Sequence, residues 1–204
     1  MKPKVIPGIP QQKEGSFHDT ESCISFDDPN LASDAFHTLK KRFLSINEWK
    51  NYCGEKSADF KLYAPSGHPI ERDPQEKDLI RIDIPGLPSA ESPGFDWVKI
   101  VKLNDQFLDT SEVENLLMIC FPTTTLGQDE NNHIAHFYSE KSSSTFKIAR
   151  GYNFIKIGIY GRNETPNLNT NFPGKVRNML IAFGGLFGIS KIQWKIFADE
   201  LITF

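Results

Sequence analysis

The sequence predicts an α+β fold: an antiparallel sheet of about six to seven strands covered by C-terminal helices, with a helical pair near the N-terminus. Three observations lead there. Residues Tyr152 to Tyr160 alternate, with Ile155, Ile157 and Ile159 on one side and Tyr152, Phe154, Lys156, Gly158 and Tyr160 on the other, the period-two pattern of a half-buried strand. Val176, Met179, Leu180, Phe183, Leu186 and Phe187 fall at i, i+3, i+4, i+7, i+10 and i+11, the single apolar face of a helix. Asp28-Pro29 opens another helix, because Asp28 can accept from free first-turn amides and Pro29 suits the first helical position.

Met1 to Gly15 holds three Pro and two Gln and reads as an extended arm, ordered only where it docks on something. Residues 16–204 then form a single domain, a length at which roughly 70% of the unfolded surface is buried. Glu21 to Phe26 is a short first strand. The helix after Asp28 carries a stripe of Leu31, Ala35, Leu39 and Phe43, widened by Phe36. Ser45-Ile46-Asn47-Glu48 has capping-box form, so a second short helix carries Trp49 and Tyr52 and ends at Gly54. Strands follow at Phe60 to Ala64, Leu79 to Ile84 and Trp97 to Leu103, with a loop from Leu87 to Gly94. Leu116 to Phe121 is apolar without a break, as in a strand buried on both faces in mid-sheet.

Phe146 and Ile148 alternate with Thr145, Lys147 and Ala149, and Arg150-Gly151 separates them from the next strand. A hairpin results, with Gly151 available for a positive φ. Lys141 to Arg162 contains five basic residues and no acidic one, whereas Asn104 to Asn132 contains six acids and no Lys or Arg. Either the two stretches neutralise each other or the acids lie in solvated loops. Pro173 begins the long apolar helix, in which Gly184-Gly185 costs roughly 1 kcal/mol per Gly. Gly188 is placed to end it, and Ser190 with Gln193 forms the capping box of a last helix carrying Trp194, Phe197, Ala198 and Leu201 inward.

A short strand, two helices, a series of antiparallel strands and C-terminal helix: this order resembles the helix-grip fold of the START and Bet v 1-like (polyketide cyclase-like) proteins. The residues that carry the resemblance are Asp28 to Gly54, where a helix leads into the Asn47-Glu48-Trp49 turn, and the final helical stretch. The likeness is one of element order. Two features depart from it: the break at Gly188, where the family has one long helix, and the long Leu87 to Gly94 loop. The resemblance implies a cavity between a curved sheet and the long helix, suited to apolar ligands, and carries over no catalytic residue.

Composition narrows the function. A net charge of −3 does not imply general nucleic-acid binding. The longest apolar run, Met179 to Ile189, is 11 residues with three Gly, too short for a bilayer, so no membrane partner is expected. The N-terminus lacks a signal-peptide layout, and three scattered cysteines without C-x-x-C fit a reducing, cytoplasmic location. His133 and His136 precede a strand, where i and i+3 point to opposite faces, so no metal and no cofactor is expected. Ser142 to Thr145, near Arg150 and Arg162, reads either as an anion cradle or as turn chemistry. Arg162-Asn163-Glu164, with Asn167 and Asn169, is the leading polar group: it fixes a carboxylate or amide of a ligand, or it fastens the following loop. His136, Arg150 and Tyr160 complete the candidate ligand-binding set. The function expected is non-catalytic binding of a small, partly apolar ligand between sheet and C-terminal helices. The alternatives are a protein–protein or homodimer module presenting Tyr152, Phe154 and Tyr160, and a metal-independent enzyme of cyclase or hydrolase type.

Overall fold

The computed structural model describes residues 2–55, 57–83, 96–106, 109–123, 139–165 and 186–204. Seven strands, β1 (Ser16–Ser25), β2 (Asp59–Tyr63), β3 (Leu79–Asp83), β4 (Asp96–Asn104), β5 (Glu114–Pro122), β6 (Ser143–Arg150) and β7 (Phe154–Glu164), form one antiparallel sheet in the order β1-β7-β6-β5-β4-β3-β2. The helices are α1 (Pro29–Leu44), α2 (Trp49–Cys53) and α3 (Leu186–Ile202), with a 3₁₀ turn at Ile46–Glu48. Strands β2 to β7 meander, and β1 closes on β7. Because β1 and β2 lie at opposite edges, α1 and α2 carry the chain from one edge to the other. This is the element order that the helix-grip resemblance implies.

The first strand is longer than expected and begins at Ser16, since Phe17, Asp19, Glu21 and Cys23 alternate with His18, Thr20, Ser22 and Ile24 across the sheet. Helix α1 starts as predicted: Asp28 accepts from the Asn30 amide, and Pro29 stands at the first helical position. Its buried stripe is Ala32, Ala35, Phe36, Leu39 and Phe43. Leu31 is exposed, because the apolar face turns toward the sheet one residue later. The expected Ser45 capping box does not form. The Ser45 hydroxyl donates back to the Lys41 carbonyl, which finishes α1 instead of starting α2. Gly54, at φ 79°, ends α2 as expected.

At the centre, β5 is buried along nearly its whole length, as its unbroken apolar run requires. The β6–β7 hairpin also forms, with Phe146 opposite Ile159 and Ile148 opposite Ile157. Its Gly151 is needed for room, not for a positive φ: a Cβ there would overlap the Phe154 ring. Helix α3 runs through Gly188 and Ser190 without a break, so the predicted second start at Ser190 is absent and the first departure from the helix-grip order disappears over this stretch. The helical stripe before Leu186 and the Leu87 to Gly94 loop lie outside the described residues.

One face of the sheet carries the core. Ile155, Ile157 and Ile159 of β7, Phe146 and Ile148 of β6, Met118 and Cys120 of β5, Ile100 of β4, Ile80 of β3 and Phe60 and Leu62 of β2 pack against α1, α2 and the second half of α3. Trp49 is the hub, with ring centroids 5.1 Å from Phe60, 5.1 Å from Phe197 and 5.4 Å from Phe146. The space beneath Phe197 is therefore filled with aromatic rings rather than open as the expected sheet–helix cavity. Arg42 closes this end, donating to the carbonyls of Glu200, Leu201 and Thr203 at the C-terminus of α3, where a cation offsets the helix dipole.

The opposite face is also covered around its centre. Lys147 pairs with Glu112 at 2.7 Å with both side chains only 1% exposed, Lys156 stands 3.6 Å from the same carboxylate, and Arg150 pairs with Glu114 at 2.8 Å. Two acids of the predicted acidic stretch thus neutralise the basic hairpin. Asp129 and Glu130 lie outside the described residues.

Candidate functional site

The site is created by a fault in the β1–β7 ladder. Ser16 pairs with Glu164 and His18 with Gly161, so two steps of β1 are matched by three of β7. The extra residue is accommodated at Asn163, whose φ of 55° lies in the left-handed region that Asn tolerates better than most residues. Past this bulge the alternation of β7 is reversed. Glu164, which would otherwise share a face with Arg162, is re-aimed onto the helix-covered face beside Gly161.

There it meets His18. The Glu164 carboxylate Oε1 lies 2.9 Å from Nδ1 of His18, and the two side chains are 5% and 2% exposed. Both lie over the bare Cα of Gly161, where a Cβ would collide with them. Trp194 of α3 stacks on the imidazole, with the rings 10° from parallel and 6.3 Å between centroids. Trp194 in turn meets Phe146 at 5.5 Å and Phe60 at 6.3 Å. A carboxylate can only accept, so in the neutral imidazole Nδ1 carries the hydrogen and Nε2 is left as a bare acceptor. Nε2 is buried and has no hydrogen-bond partner among the described residues. Four residues further along β1, on the same face, the Ser22 hydroxyl donates to Asp199 at 2.5 Å, and Lys195 pairs with the same carboxylate. Burial works to raise the Asp199 carboxyl, but the hydrogen bonds from Lys195 and Ser22 and the lysine's charge outweigh it and hold it below the usual range.

The predicted set does not converge. Among its described members, Glu164 alone enters this site. Arg162 is buried on the other face of β7, where it pairs with Asp19 at 2.7 Å and donates to the carbonyls of His18, Gly161 and Lys4. Tyr160 shares that face, fully buried, and donates to Glu21 at 2.7 Å. Burial and then the Glu21 charge push its hydroxyl up. Because Tyr160 is buried, the Tyr152, Phe154 and Tyr160 surface does not exist as one exposed face; Tyr152 alone of the three is largely exposed. Arg150 is engaged by Glu114 at the far end of the hairpin. Ser142 donates to Ser139, which is turn chemistry. His133, His136, Asn167 and Asn169 lie outside the described residues. Among the described residues no three or more His, Cys, Asp or Glu side chains converge as metal ligands would.

Asn163 fastens the N-terminal arm as well as the bulge. Its side-chain oxygen accepts from the amides of Lys13 and Glu14, its side-chain NH₂ donates to the Gln11 carbonyl, and its own amide donates to Gln12. Lys4 anchors the arm further along, on Glu21 at 2.5 Å and through its amide on Asp19. Burial acts to raise the Glu21 carboxyl, but the hydrogen bonds from Lys4 and Tyr160 and the charges of Lys4 and Lys156 leave it below its ordinary value. This grip is therefore present at neutral pH and is lost as pH falls through that lowered value. Asn163→Ala should cost about 1–3 kcal/mol, from left-handed strain and the lost arm contacts, in urea unfolding. Asn163→Gly should recover the backbone part.

His18 was not among the predicted residues. The signal was present in the alternation of His18, Thr20 and Ser22, but it lies ahead of the point where apolar residues begin to mark the strand.

No family model and no curated protein is similar to the chain. Among solved structures it is similar to a truncated norcoclaurine synthase from Thalictrum flavum, over 94% of this chain and 95% of that one, at 13% identity and a TM-score of 0.37. It is also similar to major latex-like protein 151 from Panax ginseng, over 91% and 99%, at 12% identity and a TM-score of 0.35. A third is Ara h 8.0201, over 92% and 99%, at 12% identity and a TM-score of 0.34. At that identity and superposition nothing passes from those proteins to this one, and the architecture rests on the strand order and helix placement given above. No helix among the described residues is long and apolar enough to cross a membrane.

Proposed function

We propose that this chain binds a small, partly apolar molecule on the helix-covered face of its sheet, against Trp194, with His18 as the polar group that orients it. The observation that carries this reading is the buried Nε2 of His18, without a hydrogen-bond partner among the described residues. A buried polar atom without a hydrogen bond costs about 1–3 kcal/mol, and a bound molecule that supplies the missing bond removes that cost. Aromatic surfaces from Trp194, Phe60 and Phe146 surround the approach on the sheet side, as in apolar sites with few polar groups. The filled aromatic cluster around Trp49 supports a site toward the start of β1, away from the C-terminal end of α3.

The test is a titration with N-phenyl-1-naphthylamine, a neutral dye that fluoresces in apolar surroundings and carries one N–H donor. Saturable, blue-shifted emission with one site is expected, and Trp194→Ala should weaken it about tenfold by removing the stacking face. Emission that stays that of the free dye, or affinity indifferent to Trp194→Ala, contradicts the reading.

A further inference from the structure

The pairing of His18 with Glu164 does more than a binding anchor needs. An anchor requires one polar atom. Here a buried carboxylate, brought onto this face by the bulge at Asn163, accepts from Nδ1 and leaves Nε2 as a buried acceptor without a partner among the described residues. A carboxylate only 5% exposed is costly unless it is paired, and Glu164 has His18 and the Ser16 hydroxyl as its partners. The geometry also gives its charge a use: when Nε2 takes up a proton, the imidazolium formed lies 2.9 Å from a carboxylate already in place and oriented.

We propose that His18 is a general base, held and neutralised by Glu164 as a positioning residue, which removes a proton from a neutral, flat substrate lying against Trp194. This rests on the ligand-binding reading of the same site. In the step, the substrate's C–H, N–H or O–H bond breaks, its electron pair stays on the substrate, and the proton forms an N–H bond at Nε2. Glu164 keeps the hydrogen bond to Nδ1 and stays ionised. The substrate is neutral because the pair already carries one negative charge before the proton moves. Among the described side chains of α3, Asp199 and Lys195 pair with each other beside Ser22. Asp19 and Arg162 also pair with each other, on the opposite face.

The probe is 5-nitrobenzisoxazole, which is neutral and flat. A base takes its C3 hydrogen, the ring N–O bond breaks, a nitrile forms and a coloured 2-cyano-4-nitrophenolate leaves, with no other reactant required. The full chain at neutral pH should turn it over saturably, at least about 100-fold faster than an equal concentration of free imidazole. His18→Gln should abolish the saturable rate. Glu164→Gln should lower it about tenfold and move the midpoint of the pH–rate profile to lower pH, a change that mere loss of packing does not produce. A wild-type rate no faster than imidazole, with N-phenyl-1-naphthylamine still bound, overturns the general base and leaves the binding site standing; failure of both removes both. A saturable rate that survives His18→Gln also overturns the proposal. The wild-type comparison with imidazole decides the question even where a substituted chain does not fold.

Discussion

Lys147→Met should destabilise the protein by about 3–5 kcal/mol, a large share of the stability of an ordinary domain. Lys147 lies on β6, on the face turned away from the helices, and its ammonium stands 2.7 Å from Glu112 with both side chains almost fully buried. Methionine fills the space of the stem but supplies no charge. The Glu112 carboxylate then keeps the Asp109 amide at 3.0 Å and the Asn115 amide group at 3.4 Å, but its nearest cation becomes Lys156 at 3.6 Å. Those contacts are too weak to replace a direct ion pair for a carboxylate only 1% exposed. The companion substitution sharpens the point. Lys147→Met combined with Glu112→Leu removes both charges, and most of the loss should return. Urea unfolding of the two single and the double variant measures this. A single-variant loss under about 1 kcal/mol would place the pair in effective contact with solvent.

Trp49→Ala should cost about 3–5 kcal/mol and lower Tm by roughly 10 °C. The indole is fully buried between α1, the sheet and α3, and its Nε1 donates to the carbonyls of Arg42 and Phe43 at 3.1 Å each. Those two carbonyls are in the last turn of α1, where acceptors lack α-helical partners; the Arg42 carbonyl has a bond from the Ser45 amide besides the indole. Truncation therefore opens a void among four aromatic rings and also uncaps α1. Trp49→Phe should recover part of the packing and none of the capping. If Trp49→Ala and Trp49→Phe cost the same, the hydrogen bonds and not the packing dominate.

The architecture was legible where side-chain periodicity reports directly on burial. The alternation of Ile155, Ile157 and Ile159, the unbroken β5 and the Asp28-Pro29 start all name their elements correctly. The failures are local contests between equivalent hydrogen bonds. As a cap the Ser45 hydroxyl oxygen would accept from a first-turn amide of the next helix, but the hydroxyl instead donates back to the Lys41 carbonyl, a bond the sequence offers just as readily. Gly188 reads as a stop because glycine disfavours helix, yet α3 continues through it.

The site was half legible. Arg162, Asn163 and Glu164 stood out as one polar group, but sequence adjacency implies strict alternation, and the bulge at Asn163 breaks it. Glu164 goes to the helix face, Arg162 to the other, and Asn163 holds the arm. The partner of Glu164 lies about 146 residues earlier in the chain, joined to it only by the closing of β1 on β7. No local pattern encodes that meeting.

The most direct test of the site is the ring-nitrogen spectrum of the protein labelled with ¹⁵N at its five histidines, recorded with and without N-phenyl-1-naphthylamine. The account predicts that His18 shows a hydrogen on Nδ1 and a bare, acceptor-type Nε2, and that this Nε2 signal moves when the dye is added. A His18 Nε2 that already carries a protected hydrogen without the dye, or that does not respond to it, would contradict the account.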